Sequence, residues 1–560
     1  MNRLLILLFV VLLAGLGGSF LAIRPKPLAD IAAVLPEETL ALIEWDDVDR
    51  AWQGWRRCQV GNTVPSPLLF KELVRLGVPE AFVEELREVS SFLASFAKSL
   101  SFAHLLAQKA VLALLPPPNG SASIAFPLHR HLVFVLQQED EGALLTSLQE
   151  LLGPVRSRRI TAYQGESVHT LVSEKGLSFS YWVGQGVVIC AENILLVQRC
   201  IDHALQRMVR ERVGVQLNAA YQRLRHHGQN GAEIFFYADI GRLHHHLPAL
   251  READNDNGGL LPRHLALYRR GEGSLNNRFG FVALVDEEAL SAFTGRHRLP
   301  APVSDPPSLG VFQETELSLW TNWFQPKKLW DFGLQASDPE VGALMASVAQ
   351  QFSEAMGTSF ETFFHVFGGG FGVFINKQNL PNQSHRALGC LAIEVRDQTA
   401  MLAMIKRLVA GLQVVTVRSG DMEISSVVLA GGLLQPAYAV VDGYLYLADS
   451  VELIEQARQQ LKPYRDGEKE QQSWTKGREG NLFAFVRTGD LIERLLPILA
   501  LLAKETGEQG RLLPPESRRF LREIGLPLLT GLRAVATTRL HGYVGGETIF
   551  LEVDSSLPKE

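Results

Sequence analysis

Apolar and polar positions alternate with a period of two in short runs along most of the chain. Glycine-bearing turns join these runs, and stretches of helical spacing follow them. The pattern is written twice. Tyr181–Ala204 reads YWVGQGVVICAENILLVQRCIDHA, and Tyr438–Leu461 reads YAVVDGYLYLADSVELIEQARQQL. They align without a gap: Tyr181 on Tyr438, Val183 on Val440, Gly186 on Gly443, Ala191 on Ala448. Each predicts a strand, a tight turn at the glycine, a second strand, and a helix opening at Asn193 or Ser450.

The same order extends to both sides. Thr39–Trp52 and Ser308–Trp320 each predict a strand running into a helix, with Leu40 on Leu309 and Leu42 on Val311. Helices follow, one carrying Phe82, Leu86, Val89, Leu93, Phe96 and Leu100, the other Val341, Leu344, Val348 and Phe352 on its apolar face. A capping box at Ser337 and Glu340 opens the second. Lys109–Leu115 and Phe371–Asn376 predict strands. His131–Gly153 matches Cys390–Leu412, each a strand, a charged turn and an amphipathic helix. Tyr163–Val172 and Arg418–Leu429 add strands turning at Gly165 and Gly420. Gly231–Pro248 aligns without a gap on Gly480–Pro497, and closing strands are expected at Phe279–Val285, Leu532–Thr538 and Thr548–Val553. Four prolines in Arg298–Pro307 separate the halves.

The expected fold class is therefore α+β: a tandem duplication of an α+β unit with largely antiparallel sheets, preceded by one N-terminal transmembrane helix. The expected segments are a signal-anchor at 1–26, a first repeat at 27–297, a Pro-rich join at 298–307 and a second repeat at 308–560. The anchor rests on Leu4–Ile23, an apolar run without a charge and long enough for a hydrocarbon core of roughly 30 Å. A small-x-small exit for a cleaved signal is poorly formed, although cleavage would also export the chain. The bulk of the protein is expected in the periplasm of a bacterium, tethered to the inner membrane as a single-pass protein.

The openings LPEETLALIEWDDVDRAW and SLGVFQETELSLW, the YxVxxGxxxxA unit and the N-terminal anchor together resemble an uncharacterised bacterial membrane-anchored family, domain of unknown function 3352. The resemblance implies an exported, membrane-tethered protein without an assigned reaction, and it implies no catalytic residues.

Charge narrows the partners. A net charge of −6 argues against a general nucleic-acid binder. The arginine groups Arg156/Arg158/Arg159 and Arg207/Arg210/Arg212 read as solvated faces. Cys58, Cys190, Cys200 and Cys390 form no CxxC pair, and those in apolar runs read as small hydrophobes.

Candidate chemistry is sparse. His244-His245-His246 is conspicuous, but successive helix residues diverge by about 100° and the zincin spacing is missing. His129 and His131 lack a visible third ligand, and Asp46, Asp47 and Asp49 lack the rest of a calcium loop. Gly368-Gly369-Gly370-Phe371-Gly372 has no GK[ST] and reads as a flexible connection or close packing. Ser167 and His169 beside Glu166 do not make a triad by adjacency. Trp52, Trp55, Trp320, Trp323 and Trp330 read mostly as core.

No catalytic, cofactor-binding or metal-binding residue is assigned, and no cofactor is implied. The expected function is non-enzymatic binding of another cell-envelope component. One rival is a carrier or sensor of an apolar, lipid-like ligand, with Phe363, Phe367 and Trp323 lining its cavity. A second is a hydrolase whose site is not visible in sequence. Partner binding is expected to use the groove between copies and the divergent excursions Asp254–Gly259 and Glu505–Pro515.

Overall fold

The computed structural model describes residues 30–47, 109–118, 128–137, 154–174, 178–207, 214–228, 232–246, 262–271, 276–286, 301–303, 315–323, 339–379, 385–432, 434–461, 478–504, 521–533 and 535–556, with a few isolated positions between them. Leu4–Ile23, the helix expected around Phe82–Leu100, Asp254–Gly259 and Glu505–Pro515 lie outside the described residues. Among the described residues no helix is long and apolar enough to cross a membrane.

The first half supplies strands β1 (Ala41–Trp45), β2 (Ala110–Leu114), β3 (Leu132–Gln137), β4 (Val155–Tyr163), β5 (Glu166–Ser173), β6 (Ser178–Gly184), β7 (Val187–Ala191), β8 (Ile234–Asp239), β9 (His264–Gly271) and β10 (Asn276–Leu284). Their order across the sheet is β4-β5-β6-β7-β3-β2-β1-β8-β9-β10, antiparallel throughout. The second half supplies β11 (Thr315–Thr321), β12 (Phe367–Asn379), β13 (His385–Val395), β14 (Val414–Ser419), β15 (Met422–Val427), β16 (Ala437–Val441), β17 (Tyr444–Ala448), β18 (Leu482–Val486), β19 (Thr537–Gly545) and β20 (Thr548–Ser556). These run β14-β15-β16-β17-β13-β12-β11-β18-β19-β20, again antiparallel.

The expected α+β class, with one unit and its own sheets in each half, is corrected here. β10 pairs with β20 over its full length, from Asn276↔Ser556 to Leu284↔Thr548, and fuses the halves into one sheet, of 20 strands among the described residues. Strand outweighs helix among the described residues. The physical reason is edge satisfaction: each half taken alone would end in an unpaired strand, and pairing β10 with β20 removes two exposed edges together. The central pair of this seam is Gly280↔Glu552.

Turn chemistry explains the hairpins. Gln185-Gly186 and Asp442-Gly443 all take positive φ, as a two-residue turn of the primed type requires. Beyond these turns Tyr181 pairs with Cys190, and Tyr438 pairs with Leu447. Helix α1 (Ile194–Arg207) follows, capped by the Asn193 side chain on the Leu195 amide at 3.0 Å. It buries Leu196, Val197, Cys200, Ile201 and Ala204 on β6 and β7. Helix α2 (Ala219–Gly228) covers β8, β9 and β10 with Tyr221 and Leu224, and the same core reaches Phe550 of β20 across the seam. A short α3 (Ile240–His246) closes β8.

In the second half α4 (Pro339–Met356), α5 (Phe360–His365) and α6 (Gln398–Leu408) precede α7 (Val451–Leu461), which buries Leu453, Ile454 and Ala457 on the sheet. Helices α8 (Thr488–Lys504) and α9 (Leu526–Leu532) pack on each other after β18.

Four local expectations change. Leu344 and Val348, expected on a buried helix face, are 64% and 49% exposed on α4, while Phe352 packs on Phe363 with ring centroids 4.7 Å apart. Leu532 ends a helix, and the strand expected there starts at Thr537. The segment before Leu35-Pro36, expected from the sequence as a short tether between the anchor and the first strand, is a buried turn at Ile31–Val34, clamped by the amide of Val215 donating to the Leu35 carbonyl at 2.8 Å. The opening strand of the second half is Thr315–Thr321, so Leu40 corresponds in position to Glu316 and not to Leu309: Asp239 N donates to Leu40 O as Arg487 N donates to Glu316 O.

Beneath α2 lies a charged knot. Arg225 pairs with Asp30 and, at 3.0 Å, with Glu44; it also donates to the Tyr221 hydroxyl at 2.7 Å, and that hydroxyl donates to Glu44. Burial, opposed by Arg225, raises the Glu44 pKa from 4.5 to about 7. The folded protein thus holds a proton that the unfolded chain releases above pH 4.5. Its stabilising contribution is complete below that pH and is lost as pH rises through about 7. Urea midpoints should accordingly fall between pH 5 and pH 7.5, on the order of 1–3 kcal/mol in stability, and Glu44→Gln should flatten the profile relative to the parent. Equal slopes for the two proteins would refute the assignment to Glu44.

Candidate partner-binding site

Among the described residues the sheet has two outermost strands, β4 and β14, and their chemistry differs. At the first-half edge, β4 carries Arg156, Arg158 and Arg159. Arg158 Nη2 lies 2.9 Å from His169 Nδ1, and the His169 ring stacks on Tyr181 at 5.0 Å. Charges along an edge discourage a further strand from adding to it.

At the other edge β14 reads VVTVRS, with a single charge near its end. Val415 and Val417 are 47% and 45% exposed. Among the described residues β14 pairs with β15 alone, in the register Val414↔Val427 to Ser419↔Met422. The Val428 amide donates to the Gln413 carbonyl at 2.9 Å. Antiparallel ladders alternate bonded and non-bonded pairs, so Gln413, Val415, Val417 and Ser419 direct their backbone groups at β15. Val414, Thr416 and Arg418 direct theirs outward.

The hairpin carrying this edge is pinned from α7. Arg458 forms a bidentate bridge to Asp421 in the β14–β15 turn at 2.6 and 2.9 Å, and donates to Asp442 in the β16–β17 turn at 2.6 Å. In the first half Asp202 of α1 has the same task, accepting from Tyr163 at 2.9 Å and Gln164 at 2.7 Å. β15 joins β16 at Ser425↔Tyr438 and Ser426↔Ala437, and the Val427 amide donates to the Pro436 carbonyl at 3.0 Å.

A second candidate is a cleft of about 610 Å³ beside the seam, between the start of α2, the end of β10 and the β19–β20 turn. Its charges are already matched. Arg223 donates to Thr548 Oγ1 at 2.6 Å and lies 3.5 Å from Glu547, and Arg263 pairs with Asp286. Burial lowers the His264 pKa, and its Nδ1 lies 3.2 Å from the Tyr237 hydroxyl. Burial raises the pKa of that tyrosine, which makes it a poor nucleophile at neutral pH. The cleft has the makings of a structural junction and lacks an activated nucleophile beside its histidine.

The residues singled out in the sequence do not converge. His244, His245 and His246 end α3, and among the described residues no group of three or more His, Cys, Asp or Glu is arranged to hold a metal ion. His131 ends a 3-10 turn before β3 and is buried, and Asp46 pairs with Lys109 at 2.9 Å. Glu166 accepts from the Trp182 indole at 3.0 Å, while Ser167 faces solvent. Gly370 sits in the β12 bulge, where its amide donates to Glu394 at 2.6 Å, so close packing accounts for the glycines. Phe363 and Phe367 pack edge-to-face at 4.9 Å within a core cluster. Cys190, Cys200 and Cys390 are free and buried, and burial raises each thiol pKa.

Sequence reasoning missed the β14 edge. The signal was present: Val414–Val417 is an uncharged run rich in branched residues, whereas Val155–Arg159 carries three arginines. Comparison of the chain with protein-family models, curated proteins and solved structures finds no match.

Proposed function

We propose that this chain is a non-enzymatic binding protein of the bacterial cell envelope. The N-terminal segment holds it at the inner membrane, and the folded part in the periplasm takes up an extended segment of another envelope protein along β14. The tether rests on the length and apolarity of Leu4–Ile23. The observation that carries the binding reading is the open β14 edge, with its single charge near the end, set against the β4 edge with its three arginines. Outward backbone groups at Val414, Thr416 and Arg418 offer hydrogen bonds to an added strand, and the exposed valines offer side-chain contacts for register.

Thr416→Pro tests this reading. Proline removes the outward amide of Thr416 and leaves the ladder to β15 intact, because edge strands tolerate proline where the amide faces solvent. The exposed 3.0 Å contact between Thr416 Oγ1 and Ser425 Oγ is lost at little cost. A photo-crosslinker in place of Val417 should capture one defined protein in the native envelope. Thr416→Pro should cut that capture about tenfold or more, since one lost hydrogen bond of about 1 kcal/mol adds to the clash of the ring. The same crosslinker at Ile160 on β4 should capture nothing. Undiminished capture by a folded Thr416→Pro protein would sink the proposal.

A further inference from the structure

Helix α8 carries Asp490, Glu493 and Arg494 in its first two turns and Lys504 at its end; the stretch between them, Leu495–Ala503, is apolar on every side, and such a stretch is ordinarily buried on every side. Here it is not. One side packs on the protein through Ile492 and Ala503, and Arg494 reaches the buried Glu316 at 2.7 Å. Leu495, Ile498 and Leu501, spaced at i, i+3 and i+6, nonetheless face solvent, with Ile498 57% and Leu501 64% exposed. Leu532 of the neighbouring α9 extends the patch.

The surroundings of the patch are cationic. Residues 488–504 and 518–533 together hold six basic against three acidic residues, in a chain whose net charge is −6. Arg519, Arg522 and Arg533 are each more than half exposed, and Lys504 ends α8 on its exposed side. Glu523 and Glu493 engage Arg519 and Arg533, while Arg522 stays 3.7 Å from Glu523.

We propose that the α8–α9 pair is a membrane-surface contact that lays its leucine and isoleucine stripe into an anionic lipid leaflet. Three observations favour lipid over protein. The stripe is long-chain aliphatic without an aromatic anchor. The cations stand at its rim, where phosphate headgroups would lie. The helix of 17 residues, interrupted by Pro497, suits the plane of the interface and not a span across it. The contact is separate from the N-terminal tether and from the β14 edge, and it holds the folded part against the surface instead of letting it swing on the tether.

The test uses the full chain with Cys58→Ser, since the other cysteines are buried and unreactive. An environment-sensitive fluorophore is placed at Leu501→Cys, or at Ile160→Cys as a distant exposed control. The protein is mixed with vesicles of phosphatidylglycerol and phosphatidylcholine whose acyl chains are brominated. Emission from position 501 should be quenched by about half and that from position 160 unaffected. Added salt should weaken the quenching, and Ile498→Asp, at an exposed site, should abolish it in a protein with unchanged thermal unfolding. Vesicle flotation reads attachment through Leu4–Ile23 separately. Floated protein without quenching at position 501 would overturn the lipid contact while leaving the tether standing. Equal quenching with phosphatidylcholine alone would overturn the role of the cations. Shielding of position 501 by concentration-dependent self-association, without vesicles, would assign the stripe to a second copy and overturn the lipid assignment.

Discussion

Gly280→Val is expected to destabilise the protein by about 3 kcal/mol or more and to loosen the seam first. Gly280 pairs with Glu552 on one side and with Tyr268 on the other. A Cβ there would lie 1.9 Å from Tyr268 Cζ and 2.4 Å from its hydroxyl oxygen. The ring cannot simply turn away. It is buried, and its hydroxyl donates to Glu552 at 2.9 Å, a carboxylate also approached by Arg478 at 3.5 Å and Arg278 at 3.8 Å. Displacing Tyr268 therefore breaks a buried polar network together with nine paired residues' worth of alignment. Native-state hydrogen exchange should show β10 and β20 opening earliest. In a double-mutant cycle, Tyr268→Ala should recover part of the Gly280→Val loss, with a coupling of at least ~1 kcal/mol. Strictly additive losses would show that the ring does not fill the place over Gly280.

Arg225→Met should cost about 3 kcal/mol or more at pH 8, above the pH of about 7 through which Glu44 ionises in the folded parent. The methionine keeps the hydrophobic stem but leaves Asp30 and Glu44 facing each other beneath α2 without a cation. Because the repulsion acts through charge, acid should relieve it. The gap between variant and parent should narrow as pH falls towards 5, where Glu44 is protonated in the folded protein. Urea unfolding of both proteins across this range measures the effect. A gap independent of pH would assign the loss to packing and not to stranded carboxylates.

The hairpin at Tyr181–Ala191 was legible because its turn chemistry is local: Gln185-Gly186 and Asp442-Gly443 need positive φ wherever the chain goes next. Registers elsewhere were less legible. The ungapped alignment of Gly231–Pro248 on Gly480–Pro497 sets Phe235 against Ala484. In the sheet, Glu233 O accepts from Asp46 N just as Asn481 O accepts from Asn322 N, so Phe235 takes the position of Phe483. A one-residue slip exchanges the two faces of a strand. Alternation in an apolar run such as IFFYAD or LFAFV is too weak to exclude it.

The candidate site divides in the same way. Valines at 414, 415 and 417 predict a strand, yet nothing in their order says whether a neighbour lies on both sides of it. The same holds for α8: the apolar run Leu495–Ala503 does not say which positions the packing leaves bare.

By itself the sequence determined the local elements whose causes lie within a few residues: the primed turns, the Asn193 cap, the inward stripe of α1 and the alternation of its strands. Only the tertiary structure decided that β10 meets β20, that two would-be units share one sheet, and that β4 and β14 are its outermost strands among the described residues. The reason is range. Turns, caps and periodicity are set by backbone sterics between near neighbours, whereas strand pairing is a competition among all available edges. Its outcome depends on which backbone groups would otherwise be left unpaired.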